Sequence, residues 1–175
     1  MCLSGTQFAQ HRMDIYTIGH SKHSIERMLQ LLRTHGVTCL VDVRSQPYSR
    51  WAPQYNRRSL AQRMQEAGIA YRFVGQALGG RPSDPSLYDA KQGHADYERM
   101  ARTTAYQNGI TELMVLAQGE RVAIMCSEHD HRHCHRHQLI AQTLLDRGLR
   151  VLHIQRDGKV VQGERLPSQP SLLDT

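Results

Sequence analysis

The sequence predicts a single three-layer α/β domain, a mainly parallel sheet of about five strands with helices on both faces. Three observations lead there. Short apolar runs alternate with segments of helical periodicity along most of the chain. The 175 residues allow one domain with a substantial core and crowd two. Unusual polar residues gather where successive strands end, as expected at the carboxyl rim of an open parallel sheet.

The elements follow in order. DIYTIG (14–19) is the first strand. Ser24 then opens SIERMLQLLRTHG, with Ile25, Met28, Leu29 and Leu32 on one face and Gly36 as the stop. TCLVDVRS (38–45) is the second strand, followed by the irregular loop QPYSRWAPQYNRR. Ser59 is expected to cap the helix SLAQRMQEAG, which Gly68 ends. AYRFVG (70–75) is the third strand, and the Gly-, Pro-, Ser- and Asp-bearing stretch 76–93 reads as loop. Helical patterns cover 95–102 and 106–118, and RVAIM (121–125) is the fourth strand. HQLIAQTLLDRG is read as a helix with Leu139, Ile140, Thr143 and Leu144 inward, and RVLHI (150–154) as the fifth strand. A turn at Asp157-Gly158 folds 159–162 back as an edge hairpin. Residues 1–12 read as a loose extension, 13–163 as the domain and 164–175 as a tail.

Bulk properties exclude some classes. No apolar run approaches the roughly 20 residues of a membrane helix. The segment MCLSGTQFAQHR has neither a basic start nor an apolar run, so it is not read as a signal peptide. The four cysteines (Cys2, Cys39, Cys126, Cys134) lack disulfide-framework spacing, and reduced thiols in the cytoplasm are expected. The net charge of +6 favours anionic partners: phosphorylated metabolites, nucleotides or nucleic acid. No membrane partner is expected, and the oligomeric state is left open.

At the strand ends stand Gly19-His20-Ser21, Asp42-Val43-Arg44-Ser45, Leu78-Gly79-Gly80-Arg81 and Cys126-Ser127-Glu128. Asp42 and Arg44 share one side of a buried strand, so they form either an internal ion pair or half of a ligand site. Gly79-Gly80 reads as a plain turn or as a place where backbone approaches an anion.

The segment VAIMCSEHDHRHCHRHQLI (122–140) admits several readings. The separation of Cys126 from Cys134 is not a zinc-finger spacing, and alternate histidines would spread around a helix. Cys126 to Arg132 formally matches C-x5-R, but Glu128 and Asp130 within it would repel a phosphate. As an N-cap, Asp130 would start a helix that turns His135 and Arg136 toward the rim. Arg136 then needs an anionic partner, with Asp42, Glu128 or a bound phosphate as candidates. Cys134 near a helix start and among cations is either a reactive thiolate or a small packing residue.

Taken together, these motifs resemble the family known as domain of unknown function 488. The residues that carry the resemblance are Tyr16-Thr17-Ile18-Gly19-His20-Ser21; Val41 to Ser45 with Pro47, Ser49 and Arg50; Gln54-Tyr55-Asn56; Leu78-Gly79-Gly80; and Met125-Cys126-Ser127-Glu128 with Cys134-His135-Arg136. They span about residues 14–155; His129, His131, His133, His137 and Arg132 lie outside the pattern, and Tyr55 stands where the family often has Phe. The resemblance implies a compact α/β domain of bacterial type with a polar rim and no agreed reaction.

The leading expectation is a hydrolase or transferase acting on a phosphate-bearing or nucleotide-like substrate at that rim. Cys126 or Cys134 is the nucleophile, Glu128 or Asp42 the base or orienting acid, and His20 or His135 the proton donor. Arg44 and Arg136 hold the anion, with Ser21, Asn56, Gly79 and Gly80 in the binding set. One alternative is a nucleic-acid or nucleotide binder using Arg50, Arg57, Arg58, Arg63, Arg72 and Arg81 with Tyr48, Trp51 and Tyr55. Another is a metal protein using the Cys/His turn. No dedicated cofactor is expected, and a divalent metal at that turn would be adventitious.

Overall fold

A computed structural model describes residues 13–91 and 93–167. The expected extension at 1–12 and the residues of the tail from 168 onward lie outside the described residues.

The sheet has six strands in the order β3-β2-β4-β1-β5-β6. These are β1 (Asp14–Gly19), β2 (Cys39–Asp42), β3 (Ala70–Phe73), β4 (Val122–Cys126), β5 (Arg150–Ile154) and β6 (Val160–Gln162). All neighbours are parallel except β5 and β6, which form the antiparallel edge hairpin that the Asp157-Gly158 turn predicts. Every residue of β2 and β4 is buried, as parallel strands covered on two faces must be.

The two-residue side-chain period divides the core in two. Val41, Val43, Ile124, Cys126 and Val151 join one apolar cluster with Ile110, Leu113, Leu139 and Leu144. Leu40, Ile18, Ala123 and Met125 join the other with Met28, Leu32, Leu60 and Met64. The first face is covered by α5 (Thr104–Gly119) and α6 (Gln142–Asp146), the second by α1 (Ile25–Thr34) and α2 (Arg57–Glu66). Short helices α3 (Gly75–Leu78) and α4 (Tyr97–Ala101) complete the set. This is the three-layer α/β arrangement expected. No helix among the described residues is long and apolar enough to cross a membrane.

Local differences from the expected elements have local causes. Ser24 caps α1 as anticipated, its side chain accepting from the Arg27 amide. α2, however, starts at Arg57 rather than after Ser59, with Asn56 at its N-cap position. The Asn56 carboxamide does not cap it; Oδ1 accepts from Ser49 N at 2.7 Å and closes the 49–56 loop instead. The stretch 76–93 is not all loop, because α3 and a 3-10 turn at Pro85–Leu87 fall near or within it.

The largest difference is in the Cys/His turn. Asp130 caps only a 3-10 turn, His131–His133, and Cys134 then returns to extended backbone (φ −123°, ψ 143°). The chain re-enters as a π-helical segment, Arg136–Ala141, before α6. A uniform α-helix would bury one stripe, whereas Arg136, His137, Leu139, Ile140 and Ala141 are all buried here. A wider turn of this kind is common beside functional sites.

Candidate functional site

Parallel register brings the unusual residues to one edge. Gly19 pairs with Cys126, and Asp42 with Met125, so three adjacent strands end together. Beyond them lies a cleft of about 470 Å³ lined by Arg44, Gly80, Arg81, Cys126, Glu128 and His135 among others. Two constellations meet here from opposite faces of the sheet.

On the α1/α2 face, Arg44 forks onto Asp42, with Nε to Oδ1 at 2.9 Å and Nη2 to Oδ2 at 2.7 Å. Both residues are buried. Arg44 Nη2 also donates to Tyr55 O, and Tyr71 Oη donates to Asp42 Oδ2. The ion pair that the sequence left open is therefore made inside the protein, with added hydrogen bonds that reduce its desolvation cost. His20 stacks on Tyr55 with ring centroids 4.2 Å apart and brings Nε2 to 3.4 Å from Arg44 Nη1. Burial lowers its pKa to about 4. The neutral ring can donate Nδ1–H to Ser21 O at 3.0 Å, and Nε2 is then a lone pair.

On the α5/α6 face, Arg136 is 1% exposed yet forms no ion pair with a carboxylate among the described residues. Its Nη1 donates to Cys126 Sγ at 2.6 Å and to Glu128 O at 2.6 Å, and its Nη2 to His129 O at 3.0 Å. Its Nε has no hydrogen-bond partner among the described residues. The candidate partners Asp42 and Glu128 thus do not meet it through their carboxylates. The group that can carry the balancing negative charge is the Cys126 sulfur. Burial pushes the Cys126 thiol up, but the Cys134 S–H and the Arg136 guanidinium outweigh it and bring the pKa down to about 7. Cys134 Sγ lies 2.8 Å from Cys126 Sγ, and its own thiol is pushed well above the usual range by that contact and by burial. The contact thus favours ionisation of Cys126 over Cys134.

Close approach makes this possible. A Cβ on Gly19 would lie 1.8 Å from Glu128 O and 3.1 Å from Arg136 Nη1, so only glycine lets the Glu128 carbonyl turn in to meet the guanidinium. Gly79 and Gly80 play comparable packing roles, against Ser45 and the His135 ring respectively.

His135 is half-buried on the cleft wall and sets Nε2 3.1 Å from Val43 O. Burial lowers its pKa to about 4. The neutral ring donates Nε2–H to that carbonyl, leaving the Nδ1 lone pair 3.6 Å from Cys134 Sγ. Burial thus disfavours the imidazolium form of both His20 and His135, the form in which either would be the stronger proton donor. Glu128 is exposed on the lip, and its carboxylate pairs with no cation among the described residues.

Of the expected site residues, Arg44, Gly80, Cys126, Glu128, Cys134 and His135 line the cleft. His20, Asp42 and Arg136 stand behind its walls, Asn56 serves the neighbouring loop, and Ser21 passes its amide to Ser127 O. Arg132 forks onto Asp130 at the surface, so the C-x5-R match does not close around Cys126. Sequence reasoning passed over Tyr71 and Tyr97, and named Ser45 at the strand end without giving it a role. It also missed that His131 and His137 turn away from the cysteines to join His153 of β5. A signal for His153 was present: it interrupts an apolar strand and, in register, stands beside Thr17.

A family model with the description "Domain of unknown function DUF488" matches residues 24–144. The Tyr16–Ser21 motif and β5 lie outside the matched stretch. No curated protein and no solved structure matches the chain.

Proposed function

Given that the chain belongs to the DUF488 family, whose description names no reaction, we propose from the site itself that the protein is a thiol-dependent hydrolase or transferase. Cys126 is the nucleophile. The observation that carries this reading is the contact between Arg136 Nη1 and Cys126 Sγ at 2.6 Å. A buried guanidinium without a carboxylate holds a thiolate, and thiolate is the reactive form of cysteine.

In the first step the Cys126 thiolate adds to an electrophilic carbon or phosphorus, and the leaving group departs with its bonding electrons. Water or a second acceptor then breaks the new sulfur bond, and Glu128 on the lip takes the proton of the attacking group. Cys134 donates its S–H to Cys126 in the resting state. Arg44 and Asp42 form a rigid wall. Arg81 is exposed on the cleft and its guanidinium bonds to no described residue, which suits it to an anionic substrate group.

A nucleotide-like substrate is favoured by the lip itself. Tyr48 is 74% exposed and Trp51 83% exposed, and Arg50 lies 4.6 Å over the Trp51 ring. Exposed rings beside a basic cleft suit base stacking. The same surface supports a second reading, a non-enzymatic binder of single-stranded nucleic acid, whose affinity would fall steeply with added salt.

The test is a panel of phosphate esters, acyl phosphates and nucleotides, followed by intact-mass and peptide mapping of any covalent adduct. Turnover lost in both Cys126→Ala and Cys126→Ser, with adducts on Cys126 alone, supports the proposal. Turnover retained in Cys126→Ala removes it.

A further inference from the structure

A second cluster lies away from the cleft and has no part in thiol chemistry. His131 comes from the 3-10 turn, His137 from the π-helical segment and His153 from β5. One ring nitrogen from each lies within 4.8 Å of the other two. His137 Nδ1 and His153 Nε2 are 3.0 Å apart, and the rings of His131 and His153 stack at 4.0 Å. Two nitrogen ligands of a tetrahedral zinc ion stand about 3.3 Å apart, from Zn–N distances of about 2.0–2.1 Å. The His137–His153 pair is already near that separation, and His131 needs a modest movement.

The surroundings fit the same purpose. His153 Nδ1 is 2.7 Å from Thr17 Oγ1. A hydroxyl there accepts Nδ1–H and fixes the tautomer that leaves Nε2 as a lone pair, the usual support for a ligating imidazole. Space beside that nitrogen is kept by Gly163, where a Cβ would lie 3.1 Å from His153 Nε2. A separate cleft of about 660 Å³ opens on His131 and His137, flanked by Asp130, Glu164 and Arg165.

We propose that His131, His137 and His153 bind a divalent transition-metal ion, zinc first, through three imidazole nitrogens with a fourth position open to water. Imidazole-only ligation suits zinc, cobalt, nickel or copper and disfavours magnesium and calcium. When the ion enters, the His137 proton moves from Nδ1 to Nε2, so that nitrogens of His137 and His153 present lone pairs to it and neither ring changes its charge. Cys126 and Cys134 take no part. This divides the Cys/His turn between two sites on the two sides of the π-helical segment: sulfur chemistry in one cleft, a histidine metal centre in the other.

The test uses the full chain without a histidine tag, loaded with Zn(II) and dialysed, and in parallel with Co(II). One equivalent of zinc is expected by elemental analysis. The cobalt form should show tetrahedral visible bands and no near-ultraviolet sulfur-to-metal charge-transfer band. His131 is half-buried, so His131→Ala should keep its fold by circular dichroism and retain less than about a tenth of an equivalent. Gly163→Ala, which leaves all three ligands present but crowds His153, should weaken binding about tenfold or more. Less than about a tenth of an equivalent in the wild type, a sulfur charge-transfer band, or full retention by His131→Ala would each overturn the proposal.

Discussion

Replacing Arg136 with Met removes a guanidinium that donates to Cys126 Sγ, Glu128 O and His129 O. The two carbonyls lose their charged donor, at about 1–3 kcal/mol each if they stay dry, so a loss of about 2–6 kcal/mol is expected. The sulfur behaves differently, because it can take up a proton once the cation is gone. In the fold Cys126 ionises at about 7 against an ordinary 9.0. Its folded pKa is depressed by the Cys134 S–H and by Arg136, so these contacts stabilise the protein fully above about pH 9 and lose that contribution as pH falls through about 7. Two decades in acidity correspond to about 3 kcal/mol. That figure is the net of burial, the Cys134 S–H and Arg136; a double-mutant cycle isolates the Arg136 share: urea unfolding, under reducing conditions, of wild type, Arg136→Met, Cys126→Ser and the double variant. The coupling energy should be on the order of 1–3 kcal/mol near pH 9 and clearly smaller near pH 6, where the thiol is protonated. A coupling that is the same at both pH values, or larger at the acidic one, would refute the thiolate–guanidinium pair.

Three further outcomes are expected. Asp42→Asn leaves Arg44 buried without its counter-charge and should cost about 3–5 kcal/mol in denaturant unfolding, with the Asp42→Leu/Arg44→Met double variant recovering much of that loss. Gly19→Ala forces the Glu128 carbonyl away from Arg136; thiol titration should show the Cys126 midpoint returning toward the ordinary value along with the lost stability. Trp51→Ala, at a fully surface position, should change stability by less than about 0.5 kcal/mol. It should nevertheless weaken nucleotide or single-strand binding by about 1–3 kcal/mol in fluorescence titration.

The sheet was readable because each parallel strand is a short apolar run bounded by turn signals, and the polar strand ends then had to converge. The Asp42–Arg44 alternation likewise announced a paired buried charge. What could not be read was which partner each group takes. Arg136 is bound by backbone carbonyls and a sulfur, acceptors that leave no compositional trace. The break at Cys134 and the π-helical segment shift every later side chain relative to an α-helical wheel begun at Asp130. That shift sends His137 to the β5 side and leaves His135 and Arg136 with the cysteines. His153 lies on a strand whose pattern alone suggests packing, and only the register against Thr17 reveals its neighbours.

On the proposed function, Cys126 ionises near neutral pH because the Cys134 S–H and the Arg136 guanidinium both favour its thiolate. Ultraviolet titration of the thiolate tests it most directly, read as wild type minus Cys126→Ser in the reduced full chain. A midpoint near 7 is predicted for Cys126, moving to the ordinary thiol range or above in Arg136→Met. A wild-type midpoint at or above the ordinary thiol value, or one that Arg136→Met leaves in place, would show that Arg136 does not hold Cys126 as a thiolate.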